Sequence, residues 1–115
     1  MSALAIAISA FVVVDGDTIR IDGRRYRLLG YDTPEKGAHA RCALEQARAL
    51  GAAGALGREI NAAAVVEFRQ TGDNCGWQRG CGRLFLDGAD VAAIMIADGY
   101  AVPWRGRRNN WCAWR

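Results

Sequence analysis

Asp17, Asp32 and Glu35, with Arg27 set between the two aspartates, are the residues of this chain best suited to do chemistry. Two carboxylates that a fold brings together cannot both stay ionised at neutral pH without a counterion. Hard cations take oxygen ligands, so Asp17 and Asp32 make a candidate Ca²⁺ or Mg²⁺ site. Arg27 adds a two-pronged donor suited to a phosphate. Glu35, two residues past Thr33, supplies a spare carboxylate. A cation, a phosphate clamp and a carboxylate able to handle a proton are the parts needed for water to attack a phosphodiester.

The elements that must position these groups surround them in the chain. Val12, Val13 and Val14 lead into Asp15-Gly16, and Ile19, Ile21, Tyr26 and Leu28 alternate with polar residues around a second turn at Asp22-Gly23. Asp-Gly between alternating apolar residues is a strong hairpin signal, so a meander is expected, and folding it back carries Asp17 toward Asp32. Pro34 interrupts ladder pairing, which puts Asp32 and Thr33 where a strand breaks into a loop. Each piece alone has a plainer meaning. Asp15-Gly16-Asp17-Thr18 reads as a polar turn, Arg27 as a solvated strand residue, and Asp32-Thr33-Pro34-Glu35 as a helix start capped by Asp or Thr. Their combination is what points to a site.

Three segments, DGDT at 15–18, YRLLGYDTPE at 26–35 and CGRLFLDGADVAAIMIADGYA at 81–101, resemble the staphylococcal nuclease (thermonuclease-like) family, over about residues 11–104. The resemblance implies an α+β, mainly β fold: a five-stranded OB-fold barrel with two packed helices, followed here by an irregular C-terminal tail, in one domain over 1–115. It implies Ca²⁺-dependent cleavage of DNA and RNA with little sequence preference, the 5′ oxygen leaving. Carried onto this chain, it implies metal ligation by the carboxylates of Asp17 and Asp32 and the backbone carbonyl of Thr33. Glu35 would handle the attacking water, and Arg27 and Arg83 would hold the scissile phosphate. Asp15 belongs to the motif as a supporting or turn residue. The family pattern has Tyr before the second Gly-Arg, where this chain has Cys81; Trp77 and Tyr100 are the aromatics available to take its place.

Further along, Leu44, Ala47, Leu50 and Ala53 or Leu56 recur at helical spacing, predicting an amphipathic helix over about 41–60 with these residues inward. Gly51, Gly54 and Gly57 weaken its second half, which packing must hold or which breaks. Glu45 is expected on the outer face, in a solvated pair with Arg41 or Arg48. A strand is expected over 62–69 with Val66 and Phe68 on one face, then a loop over 70–80 and a strand over 81–86 turned by Asp87-Gly88. Asp90 caps a short helix with Val91, Ile94, Met95 and Ala97 inward, ended by Gly99.

Trp104, Trp111 and Trp114 are interleaved in the tail with Arg105, Arg107, Arg108 and Arg115. Two readings stand open: a stacking track for single-stranded nucleic acid, or a segment folded back with its tryptophans in the core. Of four cysteines, Cys75 and Cys81 bracket a short loop and are natural partners, leaving Cys42 to tether Cys112. That pairing implies an oxidising compartment, extracellular or periplasmic. His39 and Cys42 are spaced as H-x-x-C, but no second cysteine pair completes a zinc site, and an exposed loop histidine is expected.

At 115 residues the chain suits a single core, and about half its residues are apolar, which excludes a disordered chain. The net charge is +3, and of fifteen basic residues only Lys36 is not arginine. Arginine favours phosphate partners, although GC-rich coding gives the same bias. The apolar run at 3–14 is too short to span a membrane, and Met1-Ser2 offers no basic residue for a leader, so a first strand is expected there, with a trimmed leader as the alternative. The expected protein is a monomer acting on nucleic acid away from membranes. A non-catalytic OB-fold nucleic-acid-binding module is the alternative, and it ordinarily lacks the acids and arginines kept here.

Overall fold

A computed structural model describes residues 3–5 and 11–114 of the chain, so the part of the apolar run at 6–10 lies outside the described residues. The meander forms as its sequence requires. Strand β1 (Ala3–Ala5) precedes β2 (Phe11–Asp15), which pairs antiparallel with β3 (Thr18–Ile21), and β3 pairs with β4 (Arg24–Leu28). Asp22 and Gly23 both take positive φ, 50° and 81°, the geometry of the two-residue hairpin turn that Asp-Gly favours. A register shift between Val13 and Asp15 releases the acidic turn from the regular pleat. Ile19 and Leu28 point inward and are fully buried; each such burial contributes about 1.5–3 kcal/mol.

Strand β5 (Tyr31–Asp32) is two residues long and ends before Pro34. After a 3₁₀ turn at Gly37–His39, helix α1 (Ala43–Ala62) runs unbroken through all three glycines. Its inward face differs from the expected one. Leu44 and Leu50 are exposed, and Ala49, Ala52, Ala55, Leu56 and Ile60 are buried. Small side chains win this face because the helix lies hard against the acidic turn: a Cβ on Gly16 would sit 2.8 Å from the Ala52 methyl. A leucine there would hold the helix off the sheet.

Strand β6 (Val66–Thr71) buries Val66 and Phe68 as expected, and β7 (Arg79–Leu86) leads through the Asp87-Gly88 turn to β8 (Ala89–Asp90). Helix α2 (Val91–Ala97) is capped by Asp90, whose Oδ1 accepts from the Ala92 N–H at 2.9 Å, and it ends at Gly99 with φ 82°. It buries Val91, Ala92 and Met95, with Ala97 outward. Strand β9 (Val102–Pro103) pairs with β5, and the tail beyond is irregular.

The fold is α+β, mainly strands, with two helices on a mixed sheet ordered β1-β6-β7-β4-β3-β2, β8 adding to β7. The sheet has seven strands rather than five, because the first apolar run contributes two and β8 adds a short one. The β4/β7 pairing is parallel and the rest antiparallel. Six flat strands would hold β1 and β2 about 24 Å apart. The link from Ala5 to Phe11 reaches at most about 22 Å. The sheet therefore curls, although among the described residues no ladder joins β1 to β2. Disulfides join Cys42 to Cys112 and Cys75 to Cys81. Among the described residues, no helix is long and apolar enough to cross a membrane.

Candidate active site

Asp17 follows the Gly16 turn, and its own carbonyl accepts from the Leu28 N–H at 2.7 Å, locking the turn to the end of β4. Its carboxylate is buried: Oδ1 accepts from the Thr18 hydroxyl at 3.1 Å, and Oδ2 lies 3.4 Å from Arg27 Nη2. Asp32 reaches the same region from β5, and its Oδ2 accepts from the Asn109 N–H at 2.9 Å and the Trp111 indole N–H at 3.1 Å. Thr33 is buried beside the Gly16 turn. Burial pushes the Asp17 carboxyl above its ordinary range; Arg27 and Thr18 pull it down, and the Asp32 and Asp15 charges push it further up. The two aspartates are thus electrostatic neighbours.

Whether these residues fit a cation can be read from their unused oxygens. Asp17 Oδ2, Asp32 Oδ1, Asp15 Oδ1 and Thr33 Oγ1 are buried without a hydrogen-bond partner. Buried acceptors are almost always paired, so carboxylate oxygens left without a hydrogen-bond donor on both aspartates suit a hard cation, although Asp17 Oδ2 already has the Arg27 guanidinium at 3.4 Å. No cluster of three or more His, Cys, Asp or Glu side chains with ligand spacing occurs among the described residues. A Ca²⁺ ion here would be held by Asp17, Asp32 and the Thr33 carbonyl, with water completing its shell.

Arg27 is held from three sides. Its Nη2 donates to the Tyr31 carbonyl at 2.7 Å, its Asp17 contact closes one edge, and its guanidinium lies 5.3 Å from the Trp104 ring centroid. Tyr31 in turn donates its hydroxyl to the Gly16 carbonyl at 2.8 Å, tying the strand of one aspartate to the turn of the other. Arg83 comes from β7. Register pairs Arg27 with Cys81 across the parallel ladder, so Arg83, two residues on, leaves the same outward face. Its Nη1 is bonded to Asp90 at 3.0 Å, and it crosses Gly30, where a Cβ would come within 3.0 Å of that nitrogen. Gly30 has φ 95°, so only glycine satisfies both the turn and the passage.

Glu35 sits at the rim. Burial pushes its carboxyl up, the Asp17 charge adds to this, Arg108 opposes it at 3.7 Å, and Asp15 and Asp32 raise it further. Glu45 corrects an expectation: it is buried, not on a solvated face. Its carboxylate accepts from the Glu35 N–H at 3.0 Å, the Arg41 N–H at 2.9 Å and Arg108 at 2.6 Å. Burial alone would raise the Glu45 carboxyl, but these donors together hold it below the usual range. Glu45 therefore fixes both the backbone of Glu35 and the cation beside it.

The tail divides between the two readings left open for it. Trp111 is buried on Asp32, and Trp114 packs on its edge at 4.8 Å with Arg48 over the other side. Trp111 offers no stacking face, Trp114 is half-buried and lines a cleft with Arg105, Arg107 and Arg108, and Trp104 stays half-exposed against Arg27. Tyr31, Glu45 and Asn109 escaped the sequence reading as site residues, and Arg108 and Trp111 entered it only as members of a candidate stacking track. The Cys42–Cys112 pairing held their signal, since it delivers residues 108–111 to the start of α1. Cys42 is spent in that disulfide, and His39 is exposed. No protein-family model matches the chain, and no curated protein matches it.

Proposed function

We propose that this chain is a Ca²⁺-dependent nuclease of the staphylococcal nuclease type, hydrolysing phosphodiesters of DNA and RNA with little sequence preference. One observation carries the reading: Asp17 Oδ2 and Asp32 Oδ1 are buried with no hydrogen-bond donor, and the phosphate-competent Arg27 stands 3.4 Å from the first. When bound, the cation would neutralise the two aspartates and polarise the phosphate. Glu35, its carboxyl raised above its ordinary range by burial and by the Asp17 charge, accepts the proton of the attacking water. The water oxygen bonds to phosphorus as the 5′ oxygen departs. Arg27, pre-set by the Tyr31 carbonyl and Trp104, and Arg83, in exchange with Asp90, take up the charge that grows on the phosphoryl oxygens.

The proposal extends to the fold and its setting. The first apolar run supplies both sheet edges, β1 on β6 and β2 on β3, an arrangement suited to a curled OB-type barrel. Two disulfides fit an oxidising compartment. On denatured DNA with Ca²⁺, Glu35→Gln and Arg83→Ala each lower turnover by about two orders of magnitude or more with an unchanged melting profile. A variant with full activity would remove its residue from the mechanism. Cleavage that persists in EGTA would overturn the role of calcium, and oligonucleotide binding without any cleavage would leave only the binding module.

A further inference from the structure

Away from the acids, the outer face of the sheet carries a row of like charges. Strand register sets Arg20 directly opposite Arg25, and Arg25 directly opposite Arg79, across three neighbouring strands. Neighbouring strands lie about 4.8 Å apart, and like charges placed directly opposite destabilise a sheet. Among the described residues none of the three, nor Arg24 beside them, has an ion-pair partner. Arg79 is aimed by its Nε–H, which donates to the Cys75 carbonyl at 2.8 Å, and Arg24 rests 5.4 Å from the Tyr26 ring centroid.

These four arginines line an open cleft of about 1010 Å³, and no carboxylate is among the described residues that line it. Its far wall is Trp77, 87 % exposed at the tip of the loop that the Cys75–Cys81 disulfide closes. An indole so exposed stabilises nothing in the fold. A second cleft, of about 280 Å³, is lined by Arg27 and Trp104 and shares Arg79 and Cys75 with the first. Positive charge thus runs without a break from the candidate active site to the β3–β4 hairpin.

We infer that this row is a docking track for the backbone of single-stranded nucleic acid leaving the candidate active site, with Trp77 stacking one of its bases. A polyanion supplies the missing counter-charge, and an exposed aromatic beside it selects unpaired bases over a smooth anionic surface. The inference deepens the nuclease reading and rests on it for the path of the strand. Binding, however, can be measured without turnover.

The test is fluorescence anisotropy of a labelled oligothymidylate of about twelve nucleotides, titrated with the intact oxidised protein in EGTA. Arg25→Ala and Trp77→Ala, both at exposed positions and checked by thermal melting, each weaken binding about tenfold. Arg25→Ala also lowers the salt dependence of log K by about one unit. An abasic strand of equal length binds the wild-type protein about tenfold more weakly and does not respond to Trp77→Ala. Wild-type affinity in both variants would overturn the track and leave the nuclease reading standing. Equal binding of the abasic strand, or of a duplex, would overturn the single-strand assignment. No cleavage of denatured DNA by the wild-type protein with Ca²⁺, with these binding losses intact, would instead overturn the nuclease reading alone.

Discussion

The acid pocket and the arginine row treat charge in opposite ways. Around Asp17, Asp32 and Glu45, charged side chains are buried and supported by groups from the meander, from α1 and from the tail. On the outer face, Arg20, Arg25 and Arg79 are set side by side with no acid between them. Burying a charge is tolerable only with partners in fixed geometry. A small, hard ligand therefore calls for a prebuilt pocket. On the proposed reading a long flexible polyanion supplies the counter-charge of the arginine row, which can therefore stay solvated and unpaired. The orphaned aspartate oxygens and the unpaired arginines are the same signal, missing partners, at two depths.

The largest separation between the regions is expected from their disulfides. Cys42–Cys112 spans 70 residues of sequence and holds Asn109 and Trp111 on Asp32, whereas Cys75–Cys81 spans 6 and holds only the Trp77 loop. Loop-closure entropy predicts a loss of about 4 kcal/mol for Cys42→Ala/Cys112→Ala and about 2 kcal/mol for Cys75→Ala/Cys81→Ala. Urea midpoints read the two losses. Only the first pair should also weaken Ca²⁺ affinity by calorimetry; an equal calcium loss from the second would erase the distinction drawn between the regions.

A smaller effect sharpens the pocket side. The Glu45 carboxyl is lower in the folded protein than in the unfolded chain, so its ionised form favours folding. That contribution is complete above the ordinary Glu value of about 4.3 and is lost as pH falls through the lowered folded value. Glu45→Gln should therefore cost about 1–3 kcal/mol at neutral pH. The gap to wild type should close below about pH 4. A gap that is flat across that range in chemical denaturation would mean Glu45 acts through shape rather than charge.

The meander, its two Asp-Gly turns and the face of β6 could be read from the chain because each depends on alternation and turn chemistry within a few residues. The inward face of α1 could not, since leucine is the larger hydrophobe and only the close approach of Gly16 makes alanine the better residue there. The acids were visible as a motif. What braces them was not: Asn109 and Trp111 reach Asp32 from the far end of the chain, and no periodicity encodes such a contact. The arginine row failed to appear for the same reason in milder form. Arg20, Arg25 and Arg79 are unremarkable singly, and only register across three strands puts them in line. The tail tryptophans drew the stacking reading, but Trp111 is buried, and the most exposed indole beside arginines is Trp77.

The smallest expected effect is the sharpest test of the row, because its sign runs against the usual cost of substitution. If Arg25 is opposed on both sides by like charge with no partner, removing it should stabilise the unliganded protein. Cross-strand pairs of this kind are worth about 0.2–1 kcal/mol, so Arg25→Ala should raise the urea midpoint slightly at low ionic strength. Salt shortens the reach of exposed charges to about 3 Å at 1 M, below the spacing of the strands, so the gain should vanish there. The same substitution should weaken oligonucleotide binding, opposing stability to affinity in one residue. A loss of stability that ignores salt would instead mean that the arginine stems pack on the sheet and that their alignment carries no electrostatic cost.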